Sequence, residues 1–142
     1  MKSILKISEA ASLALHAMVI LASKKEHSFS VKEIAELLKA SANHLSKVLQ
    51  RLSKAELVES LKGSKGGFKL SKNPEEITLM DIYEAIEGKF NVSSCLFGKV
   101  DCDSKCCVMG GLLSSINQQT DKHFRKTRLS DFLDLEFISE KL

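Results

Sequence analysis

With 142 residues, 44% of them apolar and 27% charged, the chain is one domain in size, or a domain with an appendage, and its composition excludes a disordered or collagen-like polypeptide. One proline, seven glycines and no tryptophan favour helix. The formal charge is +3, but nine bases and four acids between Lys32 and Lys72 give that segment +5 and leave the rest slightly acidic, as expected of a polyanion-binding head joined to a separate sensing or assembly part.

The N-terminal stretch MKSILKISEAASLALHAMVILASKK holds an apolar run from Leu13 to Ala22, broken by His16. This run is too short to span a bilayer and no small-residue cleavage site follows it, so no membrane association is expected and the chain reads as cytoplasmic. Ser8 to Ser23 reads instead as a helix, with Ser8 as N-cap, Glu9 in the first turn, and Leu13, His16, Ala17 and Ile20 at helical spacing. So many apolar residues predict burial on more than one side.

Two short helices follow. Ser30 and Glu33 form a capping-box pattern ahead of Ile34, Leu37 and Leu38, and Ala40 to Asn43 supply a turn. The second helix, about Ala42 to Ala55, lines Leu45, Val48, Leu49 and Leu52 on one face, which turns Asn43, His44, Lys47, Gln50 and Arg51 toward solvent. These are the parts of a helix-turn-helix. Next, Leu57 to Leu61 and Phe68 to Leu70 alternate like strands around Gly63-Ser64-Lys65-Gly66-Gly67, a hairpin with a basic, glycine-rich tip. Placed after a recognition helix, such a hairpin is a wing: Lys62, Ser64 and Lys65 reach phosphate, and Gly66 lets the backbone approach it.

Pro74 ends the wing, and a helix from Leu79 to Glu87 is capped by Thr78 and stopped by Gly88. All four cysteines then fall within thirteen residues, Cys95, Cys102, Cys106 and Cys107, in CLFGKVDCDSKCC. Disulfide staples are spread along a chain, whereas thiolates sharing one metal must be brought together, so this cluster points to a metal or redox site. A last helix is expected from about Cys107 to Phe124 or beyond, with Met109, Leu112, Leu113 and Ile116 on its apolar side and Gly110-Gly111 weakening its first turns. It has little core of its own to pack on, so pairing with a second subunit is expected. The tail LSDFLDLEFISEKL is long enough for a short terminal helix. The expected fold is mostly α with a small β-hairpin: a winged helix-turn-helix over 1–90, a cysteine-rich sensing segment over 91–107, and a dimerisation helix and tail over 108–142.

These residues carry a resemblance along nearly the whole chain. ISEAASLALHAMVILA, VKEIAELLKASANHLSKVLQRLSKAELVES, LKGSKGGFKL and ITLMDIYEAIEG, in this order and followed by the cysteines, resemble bacterial winged-helix regulators of the IscR/NsrR type in the Rrf2 family, which includes the iron-sulfur cluster assembly regulator and the nitric-oxide-sensing repressor. The resemblance implies a homodimer, binding to palindromic sites in double-stranded DNA, a role as repressor, and an iron-sulfur cluster, 2Fe-2S ahead of 4Fe-4S. The family's cluster-binding members space three cysteines evenly. Here six residues separate Cys95 from Cys102, and three or four separate Cys102 from Cys106 or Cys107. Cys107, continuing as Cys-Val-Met-Gly-Gly-Leu-Leu into the last helix, looks more like the family's third cysteine than Cys106 does.

The expected ligands are therefore Cys95, Cys102 and Cys107, with Cys106 or a residue of the partner's first helix as the fourth. On that helix the matching positions are Ser12 and His16, and imidazole is the better iron ligand. Other readings of the cysteines are a cluster-free thiol sensor within the same kind of regulator, or a non-regulatory metal-binding protein. The close pairs typical of structural zinc are absent. The chain is not expected to be an enzyme, because no phosphate loop follows a strand and no nucleophile stands beside a base. His27 and His123 read as surface residues.

Overall fold

A computed structural model describes residues 6–92, 95–96 and 107–133. Helices α1 (Glu9–Ser23), α2 (Val31–Leu38) and α3 (Ala42–Lys54) precede strands β1 (Val58–Leu61) and β2 (Gly67–Leu70). A 3-10 turn at Pro74–Glu76, helices α4 (Leu79–Glu87) and α5 (Leu112–Lys126), and a 3-10 turn at Leu129–Phe132 complete the order. The expected winged helix-turn-helix is present.

Helix α1 is the central post, and α2, α3, α4, β2 and the C-terminal 3-10 turn all pack against it. Ala11, Ala14 and Ala17 allow the close approach while Met18 and Leu21 fill the gaps, all five being fully buried, so this helix is indeed covered on several sides. The Ser8 hydroxyl caps it by accepting from Ala11 N–H at 3.0 Å. The Ser30–Glu33 capping box closes in both directions at the start of α2.

The turn between α2 and α3 is shorter than the sequence pattern implies. Lys39 adopts a left-handed conformation with φ of 51°, and Ser41 caps α3 by accepting from His44 N–H. Leu45, Val48, Leu49 and Leu52 of α3 are buried, as the pattern requires.

The wing pairs Val58 with Leu70 and Leu61 with Gly67 in antiparallel register. It has a third partner that periodicity does not announce. Phe29 and Phe68 exchange backbone hydrogen bonds of 2.9 and 2.7 Å, so the link between α1 and α2 adds a one-residue strand to the hairpin.

The expected start of the last helix at Cys107 is corrected. Residues Val108 to Gly111 form turns and α5 begins at Leu112, because Gly110 takes a positive φ of 53° that ends any helical path through the glycine pair. The far end of α5 is anchored. Phe124 is buried, and Thr127 to Leu129 pair with Ile77 to Leu79 through Leu79 N–H to Thr127 O at 3.1 Å and Leu129 N–H to Ile77 O at 3.0 Å. The beginning of the tail is thus a buried plug: Leu129 is fully buried and its 3-10 turn lies on α1. Cys102, Cys106 and the tail after Leu133 lie outside the described residues.

Candidate functional site

The outward face of α3 carries Asn43, Lys47, Gln50 and Arg51, all exposed, and His44, half-buried. Hydrophobic burial of the opposite face fixes this presentation. Between it and the first turn of α1 lies a cleft of about 480 Å³, lined by Ala10 and by His44, Lys47, Gln50, Arg51 and Lys54. Lys47, Arg51 and Lys54 put three permanent cations on this one concave wall.

Two of these side chains have partners within the molecule. His44 Nδ1 stands 3.8 Å from the Glu9 carboxylate, and Arg51 donates from a terminal guanidinium nitrogen to the carbonyl of Ile86 at 3.3 Å. Neither contact is visible in helical spacing, because each joins residues of different helices.

At the wing tip Lys62, Ser64 and Lys65 are exposed and Gly66 is half-buried. Gly66 N–H closes the turn on Gly63 O at 2.9 Å, and a Cβ on Gly66 would lie 2.5 Å from the carbonyl oxygen of Leu61. The glycine is needed to fold the tip before any ligand approaches it. The Ser28 hydroxyl donates to Lys65 O at 2.9 Å, and Lys69 pairs across the strands with Glu59 at 3.1 Å. The tip is thereby held in a fixed relation to the α1–α2 link.

Of the expected metal ligands, Cys95 and Cys107 are half-buried and His16 is exposed on α1. Among the described residues no three His, Cys, Asp or Glu side chains come together as a metal site. The His16 Nδ1 lies 2.7 Å from Ser12 O, and since a carbonyl only accepts, it is Nδ1 that donates there, leaving Nε2 pointed away from that bond. Thiolates and an imidazole are a donor set that suits iron. His27 and His123 are exposed, as expected. Among the described residues no helix is long and apolar enough to cross a membrane.

Sequence reasoning missed the surroundings of the last turn of α4. Glu84 accepts from Phe90 N–H at 3.1 Å, lies 3.4 Å from Lys89 Nζ and is 3.8 Å from the Arg125 guanidinium of α5. The Tyr83 ring meets the edges or faces of Phe90 and Phe124 with centroids 5.9 and 5.7 Å away. Its phenol is pushed above its ordinary 10.0 by burial and then by the neighbouring Glu87 charge. The only available signal was the ring spacing Tyr83, Phe90 and Phe124, which has no helical period across the intervening cysteines.

Comparison with known proteins places this geometry. The family model for Rrf2, described as an iron-dependent transcriptional regulator, matches residues 7–135. The HTH-type transcriptional regulator NsrR of Bacillus subtilis strain 168 is 30% identical over 118 residues, covering 80% of this chain and 78% of that protein. Among solved structures, CymR, described as the global cysteine regulator of B. subtilis, superposes with a TM-score of 0.78 at 30% identity, covering 92% of this chain and 97% of that one. IscR of T. potens superposes with a TM-score of 0.73 at 27% identity, covering 92% and 87%.

Proposed function

The chain belongs to the Rrf2 family of helix-turn-helix transcription regulators, and from that premise we propose that it is a cytoplasmic, homodimeric repressor of a palindromic operator whose affinity is set by an iron-sulfur cluster. The observation that carries the DNA half is the exposed polar and basic face of α3 beside a wing whose tip is tied to the α1–α2 link. Residues 1–90 form the DNA-binding head, 91–107 the sensing segment, and 108–142 the dimerisation helix and tail.

On DNA, Asn43 and His44 reach base edges near the start of α3 and Gln50 lies further along the same face. Lys47, Lys62 and Lys65 take phosphates, with Ser64 and the Gly66 backbone fixing the wing against the sugar-phosphate chain. Arg51 shares this face with one nitrogen already committed to Ile86 O. The Glu9 carboxylate stands 3.8 Å from His44, so contact with a base competes with that internal approach.

The residues that would hold the cluster, 2Fe-2S in preference to 4Fe-4S, are Cys95, Cys102 and Cys107, with His16 of the partner helix or Cys106 completing the set. When bound, the group supplies a centre sensitive to oxidation, nitric oxide and iron-sulfur supply. The protein's own part is to present thiolates and to hold the His16 ring by its Nδ1 proton on Ser12 O. Exposed Leu112 at the start of α5 and the nearly fully exposed Val108 before it supply apolar surface for a second copy.

Anaerobic purification followed by visible absorption and iron and sulfide analysis tests this reading. Iron and sulfide in stoichiometric amount are expected, with a changed absorption spectrum in His16→Ala. A colourless, iron-free protein from anaerobic cells that still binds its operator would remove the cluster and leave the second reading, a thiol-based regulator without metal. The likeness to the cysteine regulator CymR supports that alternative. Mass analysis of the oxidised protein separates the two, since the thiol reading requires a disulfide or modified cysteine.

A further inference from the structure

The last turn of α4 has the wrong charge for its position. A helix C-terminus carries partial negative charge on unsatisfied carbonyls, yet this one holds Glu84 and Glu87 and no base of its own. Among the described residues, the cations that answer it come from three other places: Arg51 from the recognition helix, Lys89 from the segment leading to the cysteines, and Arg125 from α5. A fourth tie reaches α1, whose capping Ser8 hydroxyl donates to the Glu87 carboxylate. Exposed ion pairs of this kind add little stability singly. Their value here is geometric, because one helical turn touches α1, the recognition helix, the segment leading to the cysteines and α5.

We propose that the last turn of α4, Tyr83 to Glu87, is a coupling joint: Glu84 and Tyr83 register the position of the cysteine segment at Phe90, and Arg51, held on the Ile86 carbonyl, passes that setting to the recognition helix as a positioning residue. This rests on the reading of the cysteine segment as a sensor. The chain of contacts is continuous. Phe90 N–H sits on Glu84 and its ring on Tyr83, Tyr83 also bears on Phe124 of α5, and two residues after Glu84 the Ile86 carbonyl receives Arg51. Displacing Phe90 leaves the Glu84 carboxylate, whose side chain is only 18% exposed, without its backbone donor. The carboxylate must then shift toward Arg125 and Lys89, and the last turn shifts with it. Arg51 is bonded to a backbone atom of that turn, so α3 follows without any DNA contact having changed.

Operator affinity at several salt concentrations tests the joint, using the full chain purified without oxygen and the same protein after air oxidation with EDTA. The native chain is expected to change affinity about tenfold or more between the two states, and Glu84→Gln to reduce that change to about twofold. Arg51→Ala is expected to reduce that ratio likewise, whatever affinity it loses in both states alike, whereas Lys47→Ala, on the same face but off the joint, is expected to lower the slope of log affinity against log salt by about 0.9 in both states and leave the ratio as in the native chain. Arg125→Gln, at an exposed position, repeats the Glu84 test if Glu84→Gln folds poorly, with the same reduction expected. Tyr83 is the one tyrosine in a chain without tryptophan, so its fluorescence should change between states in the native protein and stay constant in Glu84→Gln. If the native chain does not switch, the sensor reading itself fails. If it switches and the joint variants switch by the same factor, or if Lys47→Ala reduces the change as much as Arg51→Ala does, the joint is overturned.

Discussion

Gly67 has a hydrogen where other residues have a carbon, and the space beyond it is taken: a Cβ there would lie 2.5 Å from the carbonyl oxygen of Phe29. That approach allows Phe29 and Phe68 to exchange two hydrogen bonds, so Gly67→Ala should push the wing off the α1–α2 link at a cost of about 1–3 kcal/mol. Urea denaturation should show the loss, and DNA binding should fall more than far-ultraviolet helicity. Tyr83 offers a second test at this scale. Because the folded chain keeps its phenol protonated beyond 10.0, the stability this confers is complete below that pH and lost as the pH rises through the folded value. Absorbance of phenolate should therefore titrate at higher pH in the folded than in the urea-unfolded chain, and Glu87→Gln should narrow the difference. Glycines at the wing tip were legible as a turn, but the carbonyl pressing on Gly67 was not, since Phe29 lies in a different part of the sequence.

Helix α2 depends on its cap more than its length would suggest, since eight residues make a marginal helix by themselves. Ser30→Ala should cost about 1 kcal/mol, measured by thermal or urea unfolding. Hydrogen bonds from the Ser30 backbone and then its side chain hold the Glu33 carboxyl below its ordinary 4.5. A depressed carboxyl stabilises the folded chain above that pH and stops doing so as the pH falls through the folded value. The stability difference between the native chain and Glu33→Gln should accordingly be full at neutral pH and shrink on acidification below 4.5. The capping box, the stripe of α3 and the hairpin were readable because their signals lie within a few residues. The start of α5 was misread because apolar spacing continues through Gly110 while its backbone does not. The Ile86 carbonyl that binds Arg51 was invisible for a different reason: a backbone acceptor leaves no mark in the sequence.

For the whole molecule, the two ends of α5 are unlike. Its last turns are fixed by Phe124 and the Thr127–Leu129 pairing, while Leu112 is 56% exposed and Val108, just before the helix, 94%. Burying this apolar surface against a second copy is the expected remedy, and Leu112→Asp should shift sedimentation toward the monomer and weaken operator binding about 100-fold as two linked heads become independent. Unchanged sedimentation would place the dimer contact elsewhere. The candidate DNA face was legible from the sequence as a set of residues; its internal ties to Glu9 and Ile86 emerged only from the packing of helices distant in sequence.

Tyr83 touches Phe90 on one side of the cysteine span and Phe124 on the other, so both flanks are fastened to the same side chain. The chain before the cysteines and the helix after them are therefore held at one point of the fold, whatever lies between. Inserting a glycine between Cys95 and Cys102 should leave both ring contacts of Tyr83 in place, and the melting temperature with them, while altering whatever the thiols hold.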